Sequence, residues 1–413
     1  MSDTSNTTAR RFGLGVASTV GLNVIASLIS AAIVLLVLRT ASPSDWGGVT
    51  AAVGVAQFCG GLLDMGSTSY ATRALSRPGI TALDAEFQRL QVARLTIWRL
   101  LILVGTSAWL LSSLGFSWWL ILLGASTFLS IGATVKMVAA LQFFRAALMT
   151  VLDKAVAFTA LLVALAIEVP AYLAYPAALA IGATTSALTA MVLSGTRGTL
   201  VWPLFIARPH HIWRGSASFG VANTAPALLL FDVAIVALLA NAHEAGIFAL
   251  GARLVAPLSV AAAATSRVVL PLFSYRTVTL PGRRTVVRAV AVLSMVLGGL
   301  GLLLVMASWW VPALFGERFV EAIWPVRLYI LNVMVVLFTR TLATFLQAQG
   351  RESAVSVMVL SCVLFALAGI AVGALLAGAV GASFGVLVAN LVLVFLLVRH
   401  TAAAKLFQTA ATR

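Results

Sequence analysis

Residues 354–398 read AVSVMVLSCVLFALAGIAVGALLAGAVGASFGVLVANLVLVFLLV and contain no charged side chain. A helix needs about 20 consecutive apolar residues to cross the hydrocarbon core of a bilayer. This stretch is therefore long enough for two crossings joined by a very short turn. We predict two spanning helices here, at 354–376 and 379–398.

The rest of the chain repeats this pattern. Of its 413 residues, 61% are hydrophobic and only 9% are charged, whereas a soluble domain has about 45–50% apolar and about 25% charged residues. We therefore predict an all-α, polytopic membrane protein with about twelve transmembrane helices. The ten other predicted spans are 13–38, 46–71, 91–113, 119–141, 151–169, 174–194, 217–240, 246–270, 289–312 and 322–346.

The basic residues indicate an orientation in the membrane. The net charge is +15, but most basic residues lie in short gaps between apolar runs, which is typical of membrane insertion rather than of nucleic-acid binding. With the N-terminus inside, eighteen of the 27 Lys and Arg residues fall in cytoplasmic gaps and only Arg39 and Arg318 in outer gaps. We predict that both termini are cytoplasmic. The run 13–38 is longer than the apolar core of a signal peptide, about 7–15 residues, so we interpret it as the first span.

Two pairs of similar segments suggest an internal duplication. DWGGVTAAVGVAQF begins at Asp45 and EAGIFALGARLVAP begins at Glu244, and each opens with an acidic residue and a glycine after a turn. Lys136 and Arg340 each precede a Leu-Gln pair and then an arginine. We predict two pseudo-symmetric six-helix lobes, at 1–200 and 201–413, related by an axis along the membrane normal.

Charges inside spans are the candidate functional residues, because a buried charge needs a partner or a water-filled cavity. The predicted spans contain two acidic residues, Asp64 and Asp232, and six basic ones. At 1.5 Å per residue, Asp232 and Arg253 lie within ~2 Å of the same depth on adjacent helices, so we expect them to interact. We expect a similar relation between Asp64 and Arg99, while Arg94 is interpreted as lying at the cytoplasmic edge of its helix. The six basic residues are Arg99, Lys136, Arg253, Arg267, Arg327 and Arg340.

The excess of positive charge favours a water-filled lumen, an anionic ligand, or both. Arg327 lies close to an outer helix end and is expected to reach the interface or a neighbouring helix. Pro226 and Pro257 interrupt apolar runs, and such kinks occur both along transport routes and as static packing features.

Several functions are disfavoured by what the sequence lacks. No lysine follows a glycine, so there is no G-K-[ST] phosphate loop and no built-in ATPase. No outer loop is large enough for a catalytic domain, and the two cysteines and four histidines have no metal-ligand spacing. We therefore predict neither catalytic residues nor a bound metal, and an alternating-access transporter rather than an enzyme.

The segment SDWGGVTAAVGVAQFCGGLLDMGSTSYATRAL, residues 44–75, resembles the opening of the Wzx-type polysaccharide flippases. The matching features are Trp46-Gly47, Gln57, Asp64-Met65-Gly66 and Arg73, with Gly246-Ile247-Phe248 as a second match. This family belongs to the superfamily that also contains MATE drug antiporters and lipid II flippases. The resemblance implies a MATE-like fold of two six-helix lobes that moves undecaprenyl-diphosphate-linked oligosaccharides to the outer leaflet of a bacterial cytoplasmic membrane.

The resemblance gives the candidate residues a role. Guanidinium and ammonium groups in a lumen would bind a diphosphate, and our candidates are Arg99, Lys136, Arg253 and Arg340. Asp64 and Asp232 are assigned to ion pairing or to coupling with H⁺ or Na⁺, with no other cofactor.

Expected partners are the lipid-linked oligosaccharide, membrane lipids, and a polysaccharide polymerase with glycosyltransferases, but no nucleic acid. The alternatives are a cation-coupled MATE-type drug exporter and a non-transporting component of a glycan-synthesis complex.

Overall fold

The computed structural model describes residues 3–64, 67–75, 81–111, 117–140, 142–195, 227–255, 299, 301–306, 309–348 and 352–411. Within these ranges the regular structure is helical and no strand occurs. This outcome confirms the all-α class. It follows from the hydrocarbon environment, in which a backbone amide finds its partner only within the same helix.

The chain forms two compact units, of which the first comprises Met1–Ala41 and Val49–Phe231 and the second Ser42–Gly48 and Asp232–Arg413. Helices α1 to α8 are, in chain order, Asp3–Thr40, Pro43–Asp64, Ser67–Leu75, Thr81–Leu111, Ser117–Ala133, Val135–Ala139, Phe143–Ala166 and Ala171–Leu193. Helices α9 to α13 are Asp232–Leu239, 242–255, Trp310–Phe315, Ile323–Ala348 and Glu352–Ala411. The 3₁₀ turns Leu229–Phe231 and Glu317–Ala322 precede α9 and α12.

Eight helical segments in the described ranges are long and apolar enough to cross a bilayer. One of them, Ala354–His400, has 47 residues and is interrupted at Ala377 and Gly378, so it supplies both spans predicted from the opening sequence. The protein is thus a multi-pass membrane protein. The count of twelve stays a prediction, since much of 196–226 and 256–308 lies outside the described residues.

Several predicted spans differ in detail from the observed helices. The predicted span 46–71 covers most of α2 and the start of α3, with residues 65 and 66 outside the described part of the chain, and the span 119–141 is divided at Thr134 between α5 and α6. Pro176 lies inside α8, which begins at Ala171, three residues before the predicted span 174–194. The turn between α7 and α8 includes Glu168, whose φ is 63°.

In the first unit, α8 packs against α5 and α7, α1 packs against α7, and α4 packs against α5. A buried cluster formed by α4, α5, α6, α7 and α8 lies at the centre of these contacts, with Leu95, Leu129, Met137, Met149 and Met191 among its members. Ser126 and Thr184 add a hydroxyl–hydroxyl hydrogen bond of 2.7 Å between α5 and α8. Small buried residues on α8 allow this close packing, as is common between membrane helices.

In the second unit, the two halves of α13 fold back on each other after Gly378, whose φ of 55° favours glycine. Gly373 and Gly381 face each other so closely that a Cβ on either would overlap the other's carbonyl oxygen. The Glu244 carboxylate accepts a 2.7 Å hydrogen bond from the Ala379 amide, just after the reversal. Further along the hairpin, Asn390 donates to Asn332 of α12 at 2.9 Å.

The starts of α2 and α10 meet within the second unit. A Cβ on Gly47 would overlap the Ala242 carbonyl oxygen, and a Cβ on Gly246 would overlap the Pro43 carbonyl oxygen. The contact is thus reciprocal between the two glycines that the sequence comparison pairs. Each helix also has a side-chain cap, because Ser42 binds Asp45 and the Asn241 side chain accepts from the Glu244 amide at 2.9 Å.

Adjacent glycines in α2 provide a test of this contact. Gly47→Ala should destabilise the protein by about 1–3 kcal/mol, because the new methyl group must push two backbones apart. Gly48→Ala is the matched control, since a Cβ there meets nothing within 4 Å. Thermal unfolding in detergent measures both effects, and equal midpoints for the two variants would contradict the close approach.

Candidate functional site

A buried ion pair joins α2 and α4 in the first unit. The Arg94 guanidinium contacts the Asp64 carboxylate, and only 1% of the Arg94 side chain and 8% of the Asp64 side chain are exposed. Arg94 Nη2 also donates to Ser67 Oγ at 2.7 Å and lies 3.1 Å from Thr68 Oγ1. The pair therefore combines opposite charges with hydrogen bonds, which a buried charge requires.

The local sequence explains why the carboxylate is held there. Asp64 is the last described residue of α2, and its carboxylate accepts from Ser67 Oγ at 2.9 Å and from Thr68 Oγ1 at 2.6 Å, three and four residues further along. The Asp64-x-x-Ser67-Thr68 sequence thus holds the carboxylate in place for Arg94.

Arg94 occupies space that a glycine leaves open on α5. A Cβ on Gly132 would overlap Arg94 Nη1, and the guanidinium carbon lies 5.3 Å from the centre of the Phe128 ring. One turn earlier on α4, Gln91 Nε2 donates to the Gly132 carbonyl at 2.9 Å. Gln91 and Arg94 therefore contact the end of α5, just before the helix is interrupted at Thr134.

Two predicted cations lie close in sequence to this network. Lys136 is half-buried on the five-residue helix α6, and Arg99 is half-buried on α4. Val135, next to Lys136, packs with Ala71 of α3 and Phe87 of α4 in a small buried cluster. The helices that carry Asp64, Arg94 and Lys136 are thus packed together in one unit.

The second unit contains the other predicted pair. Asp232 starts α9, Arg253 lies in α10 and Tyr329 lies in α12, and the three side chains are within electrostatic range of one another. Asp232 Oδ1 also accepts from the Val233 amide at 2.6 Å. Tyr329 packs edge-on against Phe248 of α10, with ring centres 5.4 Å apart. The structure therefore brings these three ionisable groups together from three helices.

The remaining arginines of α12 differ in their surroundings. Arg327 is half-buried and stacks on the Trp324 ring, with 4.9 Å between the guanidinium carbon and the ring centre. Arg340 is exposed at the surface of its unit. Arg267, Pro226 and Pro257 lie outside the described residues.

Solved structures share this helical arrangement, although no protein-family model matches the chain and no curated protein matches it. An inward closed conformation of the lipid II flippase MurJ has a TM-score of 0.69 at 12% identity, covering 95% of this chain and 87% of that one. An inward-facing multidrug resistance MATE family transporter of the MOP superfamily gives 0.64 at 13% identity, with 94% and 95% coverage. A MATE protein in complex with MaL6 gives 0.63 at 14% identity, with 95% and 96% coverage.

The chain has the MATE and MurJ fold. At such low identity the likeness establishes the fold and leaves the cargo open. The MATE-like architecture predicted from the sequence is confirmed, while the finer resemblance to Wzx-type flippases stays a prediction.

Arg94 is the functional candidate that sequence reasoning misses. The sequence predicts a position at a helix edge for Arg94 and a relation between Asp64 and Arg99, whereas the structure buries Arg94 against Asp64. Arg94 lies about one turn inside the candidate span Leu90–Ser107 of α4, and its burial comes from its contacts with Asp64 and Gly132. The small residue Gly132 is a sequence signal for a space that a large side chain could fill. Only the structure shows that Gly132 lies opposite Arg94.

Removing one partner of the ion pair should destabilise the protein strongly. Asp64→Asn or Arg94→Gln should each cost about 3–5 kcal/mol, because the remaining charge is left buried without its partner. The double variant Asp64→Asn/Arg94→Gln should recover most of that loss. Chemical unfolding of purified protein in detergent measures the cycle, and additive losses in the double variant would contradict the coupling.

Proposed function

We propose that this protein flips an undecaprenyl-diphosphate-linked oligosaccharide across the bacterial cytoplasmic membrane for surface polysaccharide biosynthesis. The observation that carries this proposal is the excess of basic over acidic residues within helices of a MATE and MurJ fold. A diphosphate has several negatively charged oxygens, and guanidinium groups bind such oxygens in a planar, bidentate geometry. A cationic cargo would instead favour acidic surroundings.

The geometry of the first unit supports this assignment. Arg94 forms the ion pair with Asp64, and the helices that carry Arg99 and Lys136 lie beside that pair. Both are half-buried in helices that pack around the same network. We assign Arg99 and Lys136 to the surface that binds the diphosphate.

In the second unit we assign Arg253 and Arg340 to the same role. Arg340 is exposed on a spanning helix, and hydrocarbon is a costly environment for a charged side chain, so we expect it to face water in a cavity. Arg253 lies within electrostatic range of Asp232, which we assign to ion pairing or to coupling with H⁺ or Na⁺. We further propose that two six-helix lobes, 1–200 and 201–413, alternate access to the cargo, with both termini in the cytoplasm.

A second candidate function is multidrug export, because several structures of the same fold are MATE transporters, one of them described as a multidrug resistance protein. The distribution of charge favours the anionic cargo over this alternative. Flipping of lipid-linked sugar by the purified protein would also exclude a purely non-transporting role beside a polysaccharide polymerase and glycosyltransferases.

Reconstituted protein tests the proposal. In liposomes containing a labelled undecaprenyl-diphosphate oligosaccharide, wild-type protein should move the label between leaflets. Arg253→Ala and Arg340→Ala should each lower the rate by about tenfold, since a lost charge-assisted hydrogen bond removes about 1.5–3 kcal/mol. The control is Arg318→Ala, at an exposed position of the 3₁₀ turn Glu317–Ala322.

Unchanged rates in both arginine variants would refute their assignment to the lumen. Wild-type protein that moves no lipid-linked sugar but exports cationic dyes would overturn the function itself in favour of drug export.

A further inference from the structure

We propose that Arg94 is a positioning residue that sets the place of Lys136, and that Gly132 is the residue through which it acts. Its consequence for transport rests on the proposed function, in which Lys136 belongs to the surface that binds the diphosphate. Its structural part stands on the contacts of the first unit alone.

The first step is the fixed position of Arg94. Its guanidinium is held by Asp64 and Ser67, and it is almost completely buried. Arg94 Nε and Nη1 have no hydrogen-bond partner among the described residues, so the side chain is held through Nη2 and by packing. Such a side chain has little freedom to move when its neighbour changes.

The second step is the contact with α5. The Gly132 backbone packs directly on Arg94 Nη1, in a space where any larger residue would overlap the guanidinium. Gln91, on the same face of α4, holds the Gly132 carbonyl. The position of Gly132 is therefore determined by two side chains of α4.

The third step leads from Gly132 to Lys136. Lys136 follows Gly132 by four residues, about one helical turn, but the helix breaks between them at Thr134 and restarts as α6. A break loses the rigidity of a continuous helix, so α6 depends on its neighbours. Those neighbours include α3, which Arg94 holds through Ser67, and α4, through the cluster of Ala71, Phe87 and Val135, while Met137 of α6 also packs on α7. Arg94 thus contacts two of the structural routes to Lys136.

A thiol-labelling experiment tests the positioning without any substrate. The chain has only two cysteines, Cys59 and Cys362, so Cys59→Ser/Cys362→Ala/Lys136→Cys carries a single reporter thiol. Adding Gly132→Ala should change its labelling rate by a water-soluble maleimide by about threefold or more, because thiol reactivity follows access and local charge. Gly105→Ala is the control, since a Cβ there makes only an ordinary 3.5 Å contact with the Ile121 side chain.

A second background separates positioning by Arg94 from a direct effect on α5. In Asp64→Asn/Arg94→Met protein there is no guanidinium to overlap, so Gly132→Ala should leave the labelling rate of the reporter thiol unchanged. The proposal is overturned if Gly132→Ala changes the labelling rate equally with and without Asp64→Asn/Arg94→Met. It is also overturned if Gly132→Ala leaves the labelling rate of the single-thiol protein with native Asp64 and Arg94 unchanged. If Gly132→Ala protein is not monodisperse in detergent, Arg94→Lys, which keeps the charge but loses the planar fork, takes its place.

Flipping assays then connect the position of Lys136 to transport. In the native-cysteine protein, Gly132→Ala should lower the flipping rate by about tenfold, as expected for a misplaced binding group, while Gly105→Ala keeps it. A change in labelling with an unchanged flipping rate would overturn the role of Lys136 positioning in transport. Failure of wild-type protein to flip refutes the proposed function alone, because the labelling result still decides whether Arg94 sets the place of Lys136.

Discussion

Hydrocarbon offers no hydrogen-bond partner to a peptide group, and this constraint organises the whole structure. Each apolar run becomes a helix because only a helix satisfies its own amides. The constraint also makes every interruption of a helix expensive. Two interruptions in the described residues have the same solution, in which a polar side chain from another helix binds a backbone group beside the break.

Gln91 of α4 binds the Gly132 carbonyl beside the break at Thr134, and Glu244 of α10 binds the Ala379 amide after the reversal in α13. Buried polar side chains inside helices are satisfied by side chains, as the ion pair of Asp64 and Arg94 shows through its bonds to Ser67 and Thr68.

The fold class was predictable from the sequence because it depends on length and hydropathy, which are local properties. The two crossings of 354–398 needed only a count of residues, and the structure confirms them as the halves of α13. The relation between Asp232 and Arg253 was also predictable, since a short turn fixes the relative depth of neighbouring helices. The burial of Arg94 was not, because it comes from contacts with Asp64 and Gly132, which lie on other helices.

The contact partners of a side chain on another helix could not be predicted from the sequence either. The space for Arg94 comes from Gly132, 38 residues further along the chain, and a glycine in a membrane helix has many possible reasons to be there. The reciprocal approach of Gly47 and Gly246 is an intermediate case. The sequence pairs these two glycines as equivalents, while their direct contact required the structure.

The hairpin of α13 has a consequence for how the protein is made. Its two halves carry no charge from 354 to 398, so neither half has a flanking lysine or arginine at the turn to decide its orientation during synthesis. The glycine faces at Gly373 and Gly381 let the halves associate closely as soon as both have emerged. We therefore expect this segment to insert as one paired unit, with Arg351 and Arg399 as the basic residues that flank its two ends.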